Sequence, residues 1–304
     1  MQPESDHPDQ RPLLALGLRL AAAFVLVGLL ACVKLASDKG IHLAEIMFWR
    51  QLPTIPILFA WFALRGKLDI FKTRRTGSHL RRSGFGLVGM AMNFGAATLL
   101  PLAVATTLNY SSAIFAVVLS ALVLREPTGV WRWSAVAMGF VGVVLIAQPW
   151  GKELPLLGAA IALGAALMIA LISVQLRDLG RTEDPFTIVF YFSLFSVPVL
   201  ALAMPFVGQA HDPGEWLLLL ACGVVGLLGQ VLLTAALRYG TVANVIVMDY
   251  SGLVWATLFG WLVFDNLPPS STWLGAPMVI GAGLLIAWRE RQLGLARRAL
   301  EEPK

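Results

Sequence analysis

Charge is what this sequence has least of: 13% of its 304 residues are Asp, Glu, Lys or Arg, about half the 25% usual in a soluble domain. That density cannot cover a water-exposed surface, so an ordinary soluble protein is excluded. Cysteine is scarce too. Cys32 and Cys222 both fall inside apolar runs, which leaves no disulfide framework. The histidines His7, His42, His79 and His211 are scattered in the tail, at a helix start and in loops. Neither a Cys/His metal site nor a Ser-His-acid catalytic set can be assembled at depth from them. No Gly-x-x-x-x-Gly-Lys-Ser/Thr loop is present, which argues against ATP hydrolysis, and no cofactor is expected. The formal charge of +5 comes from bases in short connections rather than on one face, which argues against nucleic acid as a partner.

What is abundant is apolar length. Hydrophobic residues make up 58% of the chain, and runs near 20 residues recur, each able to cross a hydrocarbon core of about 30 Å. The expected fold class is an all-α membrane protein with about ten transmembrane helices. They are placed near 14–37, 41–64, 83–102, 104–124, 131–148, 155–176, 185–207, 215–237, 241–264 and 272–288. Residues 1–12 and 291–304 read as cytoplasmic tails, the first polar and disordered. Leu29–Cys32 after Arg11 and Arg19 has a faint likeness to a cleavage signal, but further spans follow at once, and an uncleaved first helix is the simpler reading.

Orientation follows from the bases. Of 23 Lys and Arg residues, only Lys39 and Lys152 fall in expected outer loops, and Lys34 and Arg50 within spans. The rest lie at cytoplasmic ends if the amino terminus is inside, as the positive-inside rule requires. The Arg65–Arg82 cluster is read as such a topology signal rather than a binding patch. Both termini are expected in the cytoplasm of a bacterium, with the chain in its inner membrane.

The chain also repeats. A shift of 140 residues places Tyr110-Ser111 on Tyr250-Ser251, Phe115 on Trp255, Gly86 and Gly89 on Gly226 and Gly229, and VVLIA at 143–147 on GLLIA at 283–287. With five spans in each half, 13–150 and 151–290, the second half enters from the opposite side and the two form an inverted pair. The turn charges agree: Arg125-Glu126-Pro127 has Arg132 nearby, whereas its counterpart Asp265-Asn266 carries no Lys or Arg.

The stretches NYSSAIFAVVLSALVLREPTGVWRWSAVAMGFVGVVLIA at 109–147 and DYSGLVWATLFGWLVFDNLPPSSTWLGAPMVIGAGLLIA at 249–287, with Phe48-Trp49-Arg50, resemble the drug/metabolite transporter superfamily, in particular its EamA family of paired five-helix domains. The resemblance implies a carrier of a small molecule: an amino acid or other amphoteric metabolite, a vitamin, or a drug-like compound, in either direction with a mild preference for export. Two positions depart from the family pattern: Asn266 stands where an acidic residue is usual, and Ala113 where a proline often occurs. A passive channel and a membrane-embedded lipid-modifying enzyme remain as alternatives, the second lacking a clustered His, Asp or Glu set.

Depth ranks the candidate site residues. Arg50 and Asp249 each lie roughly 12–14 Å into a span, near the midplane, where a lone charge costs about 2.5–3.5 kcal/mol on insertion scales. They are expected to share one cavity, paired or dividing a zwitterionic substrate, unless they form a fixed ion pair. A proton on Asp249 is a candidate co-substrate. Thr107, Tyr110 and Ser111 share a helix face, with Tyr250 and Ser251 as repeat mates, and line a cavity unless their hydroxyls bond their own backbone. Asn93 is a hydrogen-bonding candidate at similar depth, and Trp255 an aromatic one. Lys34 and Glu45 are expected to pair as an outer gate or as a structural contact. Glycines 86, 89, 139, 142, 281 and 283 are expected to permit close helix approach.

Overall fold

The computed structural model describes residues 12–122, 129–148, 154–180, 182–239 and 246–301. Every regular element among them is helical: α1 (Pro12–Asp38), α2 (Leu43–Gln51), α3 (Thr54–Leu64), α4 (Thr76–Leu99), α5 (Leu102–Asn109), α6 (Ser112–Leu122), α7 (Val130–Ala147), α8 (Leu156–Leu179), α9 (Pro185–Ala201), α10 (Met204–Val207), α11 (Pro213–Tyr239), α12 (Gly252–Phe264) and α13 (Ser270–Glu301). Two 3-10 turns, Leu68–Phe71 and Ile246–Ser251, complete the set. The turn Arg125–Pro127, Lys152, His7 and the rest of residues 1–11 lie outside the described residues, as do the side chains of Arg177 and Val247.

Among the described residues, six stretches are long and apolar enough to cross a bilayer: Leu13–Asp38, Leu102–Leu119, Val130–Ala147, Leu156–Leu176, Pro213–Leu233 and Ser270–Arg289. The other expected spans are helical but interrupted or polar at one end. Proline lacks an N–H and its ring crowds the preceding turn, so the 41–64 run breaks at Leu52-Pro53 and the 185–207 run breaks just before Pro205. The 241–264 run enters the described residues as a 3-10 turn. α4 begins at Thr76, before the expected residue 83, and carries Arg81 and Arg82 on helix rather than in a loop. α13 runs past the expected 288 into the supposed tail, through Arg, Glu, Gln, Leu and Ala, all strong helix formers.

The sequence repeat has a structural counterpart. α6 begins at Ser112 and α12 at Gly252, repeat mates in the 140-residue register. The most extensive helix contacts all join the halves: α1 with α11, α4 with α8, and α7 with α13. Exchanging the halves turns α1·α11 into α8·α4 and leaves α7·α13 in place, so the pattern maps onto itself.

α4 defines the two ends of the bundle, being 24 residues long, or about 36 Å. Near its C-terminus, Gln209 Nε2 donates to Gly40 O at 3.0 Å, and Gly40 turns the chain at φ +86°. At its N-terminus, Arg75 Nη1 donates to Asp178 O at 3.1 Å and Thr182 Oγ1 at 3.0 Å. Thr73 donates to Glu183 at 2.7 Å there, and Tyr191 to Phe71 O at 2.9 Å. The segment after α1 thus meets Gln209 at one end, while residues 178–183 and 71–75, which adjoin the repeat counterparts of these two positions, meet at the other.

The outside is apolar, with Leu64 89% and Phe206 88% exposed, as lipid requires. Glycines set the closest helix pair. A Cβ on Gly142 of α7 would lie 2.8 Å from Gly275 O, and one on Gly275 would lie 2.6 Å from Gly142 O. Because the obstacle is backbone, the helices would have to separate. Gly142→Val is therefore expected to destabilise by about 1–3 kcal/mol, seen as a lower melting temperature in detergent. Gly281→Ala, whose Cβ meets only Met138 Cε at 3.5 Å, is expected to melt like wild type.

Candidate functional site

The centre of the bundle is built where one span in each half is broken. Between α5 and α6 the run Asn109-Tyr110-Ser111-Ser112 offers side chains that compete with the helix ladder, and α5 ends at Asn109. Facing it is the Ile246–Ser251 turn. Tyr110 Oη donates to Asp249 O at 2.8 Å, and its ring meets Tyr250 edge-on with centroids 4.9 Å apart. Two glycines make room: a Cβ on Gly252 would lie 2.8 Å from Tyr110 Oη, and one on Gly283 would overlap Tyr250 Oη. Ser251 Oγ donates to Met248 O at 2.6 Å. Trp255 packs edge-on against Phe24 at 5.1 Å, with its indole N–H buried and unpartnered. Asn93 joins the site by accepting from Asn109 Nδ2 at 2.5 Å. Ser111 is buried with its hydroxyl unpartnered. Thr107 bonds its own backbone, donating to Ala103 O at 2.7 Å.

Two expected ion pairs are replaced by others. Asp249 does not pair with Arg50. Arg19 Nε and Nη2 hold its two carboxylate oxygens, each at 2.5 Å, because α1 lies along α12 and the turn before it. Arg50, 6% exposed, directs Nη1 to Gln51 Oε1 and to Met90 Sδ at 3.5 Å, leaving Nε unpartnered. Nor does Lys34 pair with Glu45. Its ammonium donates to Ala97 O, Thr98 O and Leu100 O, each at 3.2 Å, which caps the free carbonyls at the C-terminus of α4 where a cation is favoured. Residue counting gives height along a helix but not which neighbour lies beside it, so both partner choices failed in azimuth.

Glu45 instead meets His211, the buried imidazole that bridges the halves at that end. Nε2 lies 2.8 Å from Glu45 Oε1 and Nδ1 3.1 Å from Glu215 Oε2. Sequence reasoning passed over His211, Arg19 and Arg82 because each sits near an expected loop or helix end. For His211 a signal was present: Glu215 follows it at i+4 across a helix start. Beside this end, an apolar groove of about 530 Å³ is lined by Trp49, Pro53 and Trp216, among others.

A helical bundle with apolar faces, interrupted helices and an internal polar junction is the build of a multi-pass membrane transporter. The EamA-like transporter family matches residues 13–148 and 156–288, and the chain belongs to that family. Its relatives include a riboflavin transporter of Vibrio cholerae serotype O1, 29% identical over 94% of this chain and 96% of that protein. The pseudopaline exporter CntI of Pseudomonas aeruginosa is 32% identical over 90% and 97%. The mouse solute carrier family 35 member G1 is 24% identical over 92% and 79%. A crystal structure at 20% identity superposes with a TM-score of 0.59 over 90% of this chain and 97% of that one, a likeness of fold alone. The relatives with named activities are transporters, not enzymes.

Burial by itself would favour neutral His211, but hydrogen bonds with Glu45 and Glu215 outweigh it and raise its pKa above the ordinary imidazole value. The other charges at this contact are Asp212, which caps Glu215 N at 2.7 Å, and Lys39, close enough to interact with Asp212. A raised folded-state pKa means that the stabilisation is complete below the unfolded value near 6.5 and is lost as pH climbs through the higher one. The wild-type melting temperature should therefore fall as pH rises above about 6.5. His211→Asn should remove that slope, and a slope of equal size in the variant would refute the assignment.

Proposed function

We propose that this chain is a secondary carrier that moves a small organic metabolite across a bacterial inner membrane by alternating access. In this reading it crosses ten times, in inverted halves at 13–150 and 151–290, with both termini in the cytoplasm. The observation that carries it is that both ends of the bundle are bridged between the halves by exchangeable polar contacts. Thr73–Glu183 and Arg75–Thr182 close one end, and His211–Glu45 and Gln209–Gly40 close the other. Opening either end requires breaking a few hydrogen bonds, each worth about 0.5–1.5 kcal/mol, or about 1.5–3 where a charge takes part. The apolar contacts between α7 and α13 can remain intact meanwhile, as rocking about a fixed midplane site demands.

The substrate site in this reading is the junction of Tyr110, Asp249, Tyr250 and Ser251, flanked by Asn93, Ser111 and Trp255. Riboflavin and pseudopaline, the cargoes named for two relatives, support a small organic metabolite, and the exporter among them supports outward movement. A basic, helix-bound inner end and a base-poor outer end support the orientation.

Comparative metabolite profiling of deletion and overexpression cells would identify a candidate, and counterflow in proteoliposomes would test the mechanism. Internal unlabelled solute should accelerate uptake of labelled solute; a passive channel would give no such stimulation. Tyr110→Phe, which removes the hydroxyl from Asp249 O, should slow counterflow about fivefold, the equivalent of one hydrogen bond, while the protein still folds.

A further inference from the structure

A second polar cluster lies away from the Tyr110–Asp249 junction, where α2, α4 and α9 meet. Arg82 lies on the same side of α4 as Gly86, one turn on, and Met90. Its guanidinium stacks 4.1 Å over the Phe192 ring, and its Nε and Nη1 are buried without a hydrogen-bond partner. Arg50 reaches the same helix at Met90. The two guanidiniums are close enough for their charges to repel. Repeat-mate glycines leave space for both: a Cβ on Gly86 would lie 2.9 Å from Arg82 Nη1, and one on Gly226 would lie 3.1 Å from Arg50 Nε. Buried hydroxyls of Ser83 and Ser193 are also unpartnered here.

Among the described residues neither guanidinium has a carboxylate partner. Asp249 is taken by Arg19, and Glu183 by Thr73 at 2.7 Å and His79 at 3.6 Å. Two like charges held together in a low-dielectric interior, with donors unspent, are costly unless an anion enters. Guanidinium forks match planar carboxylate or tetrahedral phosphate oxygens bidentately. We propose that Arg50 and Arg82 form an anion subsite for a soluble carboxylate- or phosphate-bearing solute, which makes the cargo of this carrier an organic anion. This rests on the carrier reading and narrows it. The Arg19–Asp249 pair, already neutral, leaves the solute to answer the cationic pair alone.

The test is thermal unfolding of the purified full-length protein in detergent at constant ionic strength, with glutarate, inorganic phosphate and the uncharged glutaramide as probes. Glutarate or phosphate should raise the melting temperature saturably by about 5 °C, and glutaramide should not. Arg82→Gln should abolish the rise, as should Arg50→Gln if it folds. Arg65→Gln, on an exposed residue, should keep it. An equal rise with glutaramide, a rise that survives in Arg82→Gln, or no rise with either anion overturns the subsite. Nanodiscs separate the lipid source. Stabilisation through Arg82 by phosphatidylglycerol over phosphatidylcholine, without any effect of soluble anions, would assign the pair to a headgroup and overturn the solute proposal. Counterflow of an uncharged solute in protein that shows no anion-dependent rise overturns this subsite and leaves the carrier standing.

Discussion

In lipid there is no water to take up a carbonyl that a broken helix has released, so every break must be met by a side chain from inside the protein. That constraint organises this molecule. The break between α5 and α6 frees Tyr110 to reach the carbonyl of Asp249, which the opposite half has released in its own 3-10 turn. Ser251 closes a second carbonyl of that turn. At the end of α4, Lys34 gathers three carbonyls at once. The polar residues that look functional in the sequence are, in the first instance, the ones that make interrupted helices tolerable in a bilayer. Their placement between the halves is what the proposed substrate site rests on.

The same economy explains the charges. Arg19 and Asp249 neutralise each other where α1 crosses the broken span, with the carboxylate still partly open to solvent. His211 ties Glu45 to Glu215 at one end, and Arg75 engages Asp178 and Thr182 at the other. These are contacts between halves, few and polar, set on either side of glycine-mediated helix packing that needs no polar group. In the proposed carrier cycle the glycine-mediated packing would serve as the seam and the two polar ends as the parts that open and close. The cationic pair of Arg50 and Arg82 is the exception, because no carboxylate of the described chain answers it.

Much of this was legible in the sequence. The 140-residue register locates the repeat, and it makes mates of Tyr110 and Tyr250, whose rings meet edge-on in the structure. The close approaches at Gly139 and Gly142 also follow from small residues at helix spacing, whereas Gly283 makes room for the Tyr250 ring and Gly281 meets only Met138. Partner identity did not. Arg50 and Asp249 share a depth, and so do Lys34 and Glu45, but depth is one coordinate of three. The neighbour was decided by which helices pack, which a 3.6-residue period does not encode. Arg82 was hidden by a different route. A run of bases beside an expected helix start reads as an orientation signal, and only the earlier start of α4 turns Arg82 inward toward Phe192. The breaks at Pro53 and Pro205 could have been read from proline chemistry, but apolar windows average across them.

The central claim is that the two halves cross the membrane in opposite senses, so that equivalent connections lie at opposite ends. It is tested most directly by replacing Lys72 and Gln209 singly with cysteine in a Cys32→Ser/Cys222→Ser background and labelling intact cells with an impermeant maleimide. The account predicts that the cysteine at 209 reacts from outside and the one at 72 only after permeabilisation. Reaction of both from the same side would contradict it.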